Sequence, residues 1–255
     1  MAQKTFVSNT AYDVNGGRCL VDGTGYSIQK GRTLVDGTGY DVAFENGVEL
    51  STFSEGSLVK LNESGSPVEF YVAKHNYESE LNGSGRTLLV RKDCYDMRKF
   101  NSSTTLDSYY DSDIQEWLES TYKSLLDANA RTAIGSTKIY YVYSSESTSA
   151  SSGKAFSVFL LSTKELGRTA SYTVALGTQL PIANTLRKAR TNGVYHSQWT
   201  RNLVKASEDD ESVCVLDETG SIDYMRKTSS SPGSRPAFTL PSTALFDPET
   251  FEFVG

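Results

Sequence analysis

The sequence predicts an α+β protein of two unlike parts: a module of short β-strand repeats over residues 1–50, and a larger region, residues 55–255, of antiparallel strands with one or two helices. Three observations predict it. A ten-residue segment recurs near the start with a 14-residue period, strand-prone runs separated by turn residues fill most of the remainder, and one stretch around residue 115 carries helical periodicity.

The repeat comes first along the chain. Residues 17–26 read Gly-Arg-Cys-Leu-Val-Asp-Gly-Thr-Gly-Tyr and residues 31–40 read Gly-Arg-Thr-Leu-Val-Asp-Gly-Thr-Gly-Tyr, so nine of ten positions match. An earlier copy fits the same frame, with Val7, Thr10, Tyr12 and Val14 aligned to Val21, Thr24, Tyr26 and Ile28, then to Val35, Thr38, Tyr40 and Val42. Each unit joins a short run such as Thr33-Leu34-Val35 to an Asp36-Gly37 turn signal and a second run, Tyr40-Asp41-Val42. Strands this short bury no core of their own and expose edges, so the module is expected to be completed by copies of itself or by the protein it docks on. Eight of the 20 glycines lie at or before Gly47, which places the glycine excess in this module. Gly23-Thr24-Gly25 and Gly37-Thr38-Gly39 lack the third glycine of a dinucleotide fingerprint, because Ile28 and Val42 occupy its place; they read as turns.

The larger region begins with Ser57 to Leu61, Val68 to Ala73 and Arg86 to Arg91, three strand patterns separated by turn signals at Asn62 to Gly65 and Asn82-Gly83. Gly83-Ser84-Gly85 lacks the spacing and lysine of a phosphate loop and reads as a hairpin turn. Ser112-Asp113-Ile114-Gln115 is a capping-box pattern, and Ile114, Trp117, Leu118, Tyr122, Leu125 and Leu126 recur at helical spacing. Asp107, Asp111 and Asp113 do not form a calcium loop, since Glu116 stands at its glycine and Tyr122 at its closing glutamate; they complement the helix N-terminus. Beyond the helix, strands are expected at Lys138 to Tyr143, Phe156 to Ser162, Trp199 to Val204 and Ser234 to Leu240, a hairpin over Val213 to Gly220, a short helix at Leu186 to Ala189, and an exposed serine-rich loop from Ser144 to Ser152.

Composition excludes several classes. With 25 basic and 31 acidic side chains the net charge is -6, and no basic run exceeds a pair, which argues against a binder of the nucleic-acid backbone. The longest near-continuous apolar stretch, Ala155 to Leu161, is far below the roughly 20 residues of a membrane span, so no membrane insertion is expected. Met1 to Val7 carries no apolar signal segment, and synthesis in the cytoplasm without a signal peptide is expected. Cys19, Cys94 and Cys214 are odd in number and widely spaced, which implies reduced thiols rather than a disulfide framework or zinc.

The order of segments in the larger region carries a resemblance. Leu88-Leu89-Val90, an aromatic loop, the Trp117-Leu118 helix, Phe159-Leu160-Leu161-Ser162 ahead of Glu165, Trp199-Thr200-Arg201-Asn202, and Arg235-Pro236-Ala237-Phe238 resemble a widespread bacterial and phage domain of unknown function. That domain is similar to C-type-lectin-like folds of phage tail and receptor-binding proteins. This sequence departs from the pattern in lacking the arginine of the helix motif, in Gln198 where a paired tryptophan stands, and in Asn202 and Ser234. The resemblance covers roughly residues 55–255 and implies a C-type-lectin-like domain of twisted antiparallel strands.

No catalytic constellation is legible. His75 and His196 sit in no zinc-protease or hydrolase motif, and among many acids nothing selects the carboxylate pair of a glycosidase. The resemblance places a ligand face on the loops before the closing strands. There Tyr195, His196 and Trp199 are candidates to stack on sugars, and Asn202, Asp209 and Asp210 to bind hydroxyls; calcium is possible but not indicated, and no metal site or cofactor is assigned. Trp199 and Arg201 have a second reading, as core residues with the arginine satisfied by a buried carboxylate or carbonyls. The expected function is that of a phage virion structural protein (tail fibre, tail tip or decoration) displaying an adhesion domain for a host surface or glycan. It would be a homo-oligomer, a trimer favoured, among other virion proteins. A cell-surface polysaccharide hydrolase or depolymerase and a purely structural capsid decoration protein are the alternatives.

Overall fold

A computed structural model describes residues 47–105 and 108–255, together with the backbone of six strands between residues 3 and 43. Those six strands form three antiparallel hairpins, Gln3–Val7 with Thr10–Val14, Arg18–Val21 with Thr24–Ser27, and Lys30–Val35 with Thr38–Ala43. Each closes with valine opposite threonine, at Val7 and Thr10, Val21 and Thr24, and Val35 and Thr38, in the 14-residue frame of the sequence. Asp107 lies outside the described residues.

The rest is a mixed α+β structure, mostly antiparallel, with few and short helices. One five-stranded sheet runs in the order Val158–Phe159, Ala237–Pro241, Arg86–Arg91, Ser66–His75, Leu58–Glu63. Its edge strand alternates, with Val59, Leu61 and Glu63 inward, whereas Thr87 to Val90 in the middle strand are buried on both faces. Ser64 and Gly65, both at positive φ, close the first hairpin with a two-residue turn. The connection expected as a hairpin turn at Gly83 is longer, because the helix Ser79–Asn82 is inserted before Gly83.

A second sheet is ordered Asp96–Met97, Gly233–Ser234, Gln198–Leu203, Ser212–Leu216, Ile222–Arg226. The two sheets share a corner. The paired strands Arg86–Arg91 and Ala237–Pro241 each pass, through Lys92 to Tyr95 and Arg235-Pro236, into the second sheet as Asp96–Met97 and Gly233–Ser234. At the bend Arg235 is buried, and its guanidinium donates to the carbonyls of Arg91, Lys92 and Leu186. Gly233 is required there, since a Cβ would lie 2.6 Å from Cys94 Sγ.

The helix expected at residue 115 runs over 113–125 and contains a π-helical segment, Leu118–Tyr122. Ile114, Leu118, Tyr122 and Leu126 are buried; Trp117 and Leu125 pack partly buried at its margin. Ser112 caps it by accepting the Gln115 N–H, but the capping box is not reciprocal: the Gln115 amide turns inward and donates to the Val158 carbonyl at 2.9 Å. Two expected strands are shortened for a common reason. Lys138 to Tyr143 keeps only Lys138 in a strand, Thr137–Lys138, and an isolated bridge from Tyr141 to Ser151, and Phe156 to Ser162 contributes Ala155–Phe156 and Val158–Phe159, because Arg201 takes the carbonyls of Tyr140 and Leu160 and the Tyr109 hydroxyl takes the Leu160 N–H. The short helix expected at Leu186 to Ala189 lies earlier, over Ala183–Leu186, because Ala189 opens the strand Ala189–Thr191 paired with Val194–His196. Within the serine-rich loop Ser145 is buried, its carbonyl accepting from Ala206 N–H.

The segment Val48–Leu50 falls within the first part as drawn on composition. It is bound to the chain's end: Val48–Glu49 pairs with Leu245–Phe246, and Leu50 is fully buried with its N–H on the Ala244 carbonyl.

Candidate binding cleft

The motif residues that carry the resemblance point into the interior. Arg201 forks onto Glu165 with N–O distances of 2.6 and 2.7 Å, and neither side chain has any exposed surface. The Tyr77 hydroxyl donates to the same carboxylate at 2.5 Å, and the Ser162 N–H donates at 2.8 Å. Burial works against the Arg201 charge, yet Glu165 outweighs it and holds the guanidinium protonated, while burial and the same carboxylate push the Tyr77 hydroxyl well above its ordinary range. A second triad repeats the design: Arg91 forks onto Glu63 at 3.0 Å through two nitrogens, and Tyr122 donates to Glu63 at 2.7 Å. Planar forks on carboxylates with a tyrosine supplying a third donor satisfy charges that would otherwise be costly inside.

Trp199 and Arg201 therefore take the second of their two sequence readings. Trp199 is buried, donates from Nε1 to the Arg98 carbonyl at 2.8 Å and packs edge-on to Phe100. Asn202 is buried as well, its Oδ1 accepting from Thr163 N–H and its Nδ2 donating to Thr173 and the Val174 carbonyl. Neither side chain reaches a ligand on the surface. Asp209, at the end of the helix Ala206–Asp209, accepts from Glu211 N–H and Ser212 Oγ, and the Asp210 carbonyl accepts from Lys227. Both lie beyond one end of the strand Gln198–Leu203, and Tyr195 and His196 precede the other end, roughly 20 Å away for six extended residues. The six candidates thus do not converge on one face. Among the described residues no group of three or more His, Cys, Asp or Glu side chains is placed to hold a metal ion.

Two carboxylates do converge. Glu165 Oε1 and Glu78 Oε1 lie 2.9 and 3.0 Å from where a Gly177 Cβ would sit, with Glu78 accepting the Thr178 N–H. Burial raises the Glu78 carboxyl above its usual range. Both side chains are closed off from solvent and Glu165 is saturated by its donors, so the pair has no access to a glycosidic bond.

One predicted residue lies on a cleft. The hairpin Ala189–Thr191 with Val194–His196 presents Tyr195, 46% exposed, toward a cavity of about 370 Å³ lined also by Tyr71, Lys92, Asp93, Asn184, Thr185, Lys188 and Arg190. Asn192 and Gly193, both at positive φ, make its two-residue turn. Arg190 lies 4.8 Å from the Tyr195 ring centre with Nη2 3.4 Å from its hydroxyl, and Lys188 Nζ is 6.0 Å from the ring. Asp93 ties the hairpin down by accepting the Arg190 N–H at 3.0 Å. The seven other lining residues come from three segments, and two of these, at Tyr71 and at Lys92-Asp93, lie about 100 residues or more from Tyr195 along the chain, which is why the sequence did not assemble the cleft. The one local signal is Arg187-Lys188-Ala189-Arg190, a concentration of positive charge in an acidic chain.

Residues 84–242 match the family described as Domain of unknown function (DUF6273). Neither the curated proteins nor the solved structures hold a significant match to the chain.

Proposed function

Because the chain belongs to that family of unknown function, we propose that it is a non-enzymatic binding protein of a phage particle, in which residues 55–255 form a C-type-lectin-like adhesion domain and the N-terminal hairpins attach or oligomerise it. The cleft at Tyr195 is the observation that carries the binding reading: a concave site of ligand size with two tyrosine rings and several polar groups. The 14-residue repeat and the resemblance to phage tail domains support the virion setting. A host-surface polysaccharide is the ligand in this reading.

Incubating the protein with host polysaccharide tests it. Saturable binding without released reducing ends, weakened at least tenfold by Tyr195→Ala, is expected. Reducing ends accumulating with time would instead mark a depolymerase, and blank glycan and cell-binding assays a structural decoration protein. For the assembly part, light scattering should find an oligomer, a trimer being favoured, that becomes a folded monomer when residues 1–46 are removed. The cut belongs before Gly47 because Val48–Leu50 is built into the larger domain. A full-length monomer that associates with no virion component would refute the assembly role.

A further inference from the structure

Taking the adhesion reading as its premise, we infer that the Tyr195 cleft selects an anionic saccharide, a sugar bearing a carboxylate or an acidic ester, rather than a neutral one. The charge around the cleft opposes that of the chain. The protein as a whole carries -6, yet the cleft lining contains Lys92, Lys188 and Arg190 against the single carboxylate of Asp93.

Those cations differ in availability. Lys92 is committed to Glu69 at 2.6 Å, as Arg91 is to Glu63, Arg98 to Asp96, Arg201 to Glu165 and Arg226 to Glu211 elsewhere. Lys188 and Arg190 have no carboxylate partner among the described residues, although both are exposed and stand on the cleft. Asp93 makes no ion pair with the Arg190 guanidinium; its Oδ1 accepts the Arg190 backbone N–H instead. Arg190 is held over Tyr195, which fixes the fork in place without using up its charge. A pre-positioned guanidinium beside a flexible ammonium suits an anionic group, since charge-assisted hydrogen bonds are about twice as strong as neutral ones.

The rest of the lining suits a sugar ring. Tyr71 and Tyr195 offer apolar faces with polar tips, and Asn184 and Thr185 offer donors and acceptors for hydroxyls. Three cations on a concave site of about 370 Å³ are too few and too local to track a nucleic-acid backbone.

The full-length protein should be titrated with polygalacturonate, its fully methyl-esterified form, dextran sulfate and dextran. Binding to polygalacturonate or dextran sulfate, at least tenfold tighter than to the esterified polymer or dextran and weakening as salt is raised, is expected; which acid binds identifies the anionic group. Lys188→Gln and Arg190→Gln should each weaken that binding at least fivefold, and Lys99→Gln, an exposed cation away from the cleft, should leave it unchanged. Equal binding of neutral and acidic polymers, or loss on Lys99→Gln equal to that on Arg190→Gln, overturns the anionic selectivity while the adhesion reading stands. No binding to any of the four or to host polysaccharide overturns both.

Discussion

Replacing Arg201 with methionine removes a buried guanidinium while nearly keeping its length. The arginine makes five contacts: two to Glu165, one each to the Leu160 and Tyr140 carbonyls through its side chain, and its own N–H to the Leu161 carbonyl, which survives the substitution. What is left behind is a fully buried Glu165 carboxylate with only the Tyr77 hydroxyl and Ser162 N–H as donors, plus two carbonyls stripped of a partner. Breaking one side of a buried pair costs about 3–5 kcal/mol. At about 2–4 °C per kcal/mol for a region of this size, a loss of ~4 kcal/mol lowers the melting temperature by about 8–16 °C. Calorimetry gives the shift directly. Urea unfolding should show a lower midpoint at unchanged slope, because the surface exposed on unfolding is the same. Arg201→Lys should fall between, since an ammonium cannot fork onto a carboxylate. A double variant adding Glu165→Met should recover part of the loss, because the uncompensated charge goes with it. A midpoint shift equivalent to less than about 1 kcal/mol in Arg201→Met, or a double variant no more stable than the single, would refute the reasoning that this pair pins the interior.

Two further outcomes follow from the same neighbourhood. Gly177→Ala should destabilise by about 1–3 kcal/mol, since Gly177 sits at φ +72 and the new Cβ would meet Glu165 Oε1 at 2.9 Å, held too firmly to retreat. Gly65→Ala, at φ +80 with nothing within 4 Å, should cost only the backbone strain, and equal losses in the two would remove the steric argument. Glu78→Gln should raise the melting temperature at neutral pH. Burial raises the folded carboxyl above its unfolded value, so the folded state binds the proton more readily and loses stability as pH climbs through the carboxylate range. Glutamine keeps an acceptor for Thr178 N–H and has no charge to bury. Its advantage should therefore fade on acidification below the ordinary carboxylate range, and a gain that persists there would contradict the origin assigned to it.

The sequence by itself determined the elements whose cause is local. The valine and threonine positions of the repeat give the shared hairpin register, because a two-residue turn fixes which residues face each other. Ser112 and the spacing of Ile114, Leu118 and Tyr122 likewise mark a helix start and its buried face. Tertiary structure decided what depends on partners far along the chain. Arg201 and Tyr109 end strands that propensity would have continued, by capturing backbone groups more than 40 residues away, and no window of neighbouring residues contains that competition. The same holds for function. A tryptophan, an asparagine and an arginine in one strand are equally suited by type to a binding face or to an interior, and only burial placed them inside. Tyr195 acquired its surroundings when the Ala189–Thr191 hairpin folded back beside Tyr71 and Lys92, an adjacency written in the packing and nowhere in the order of the residues.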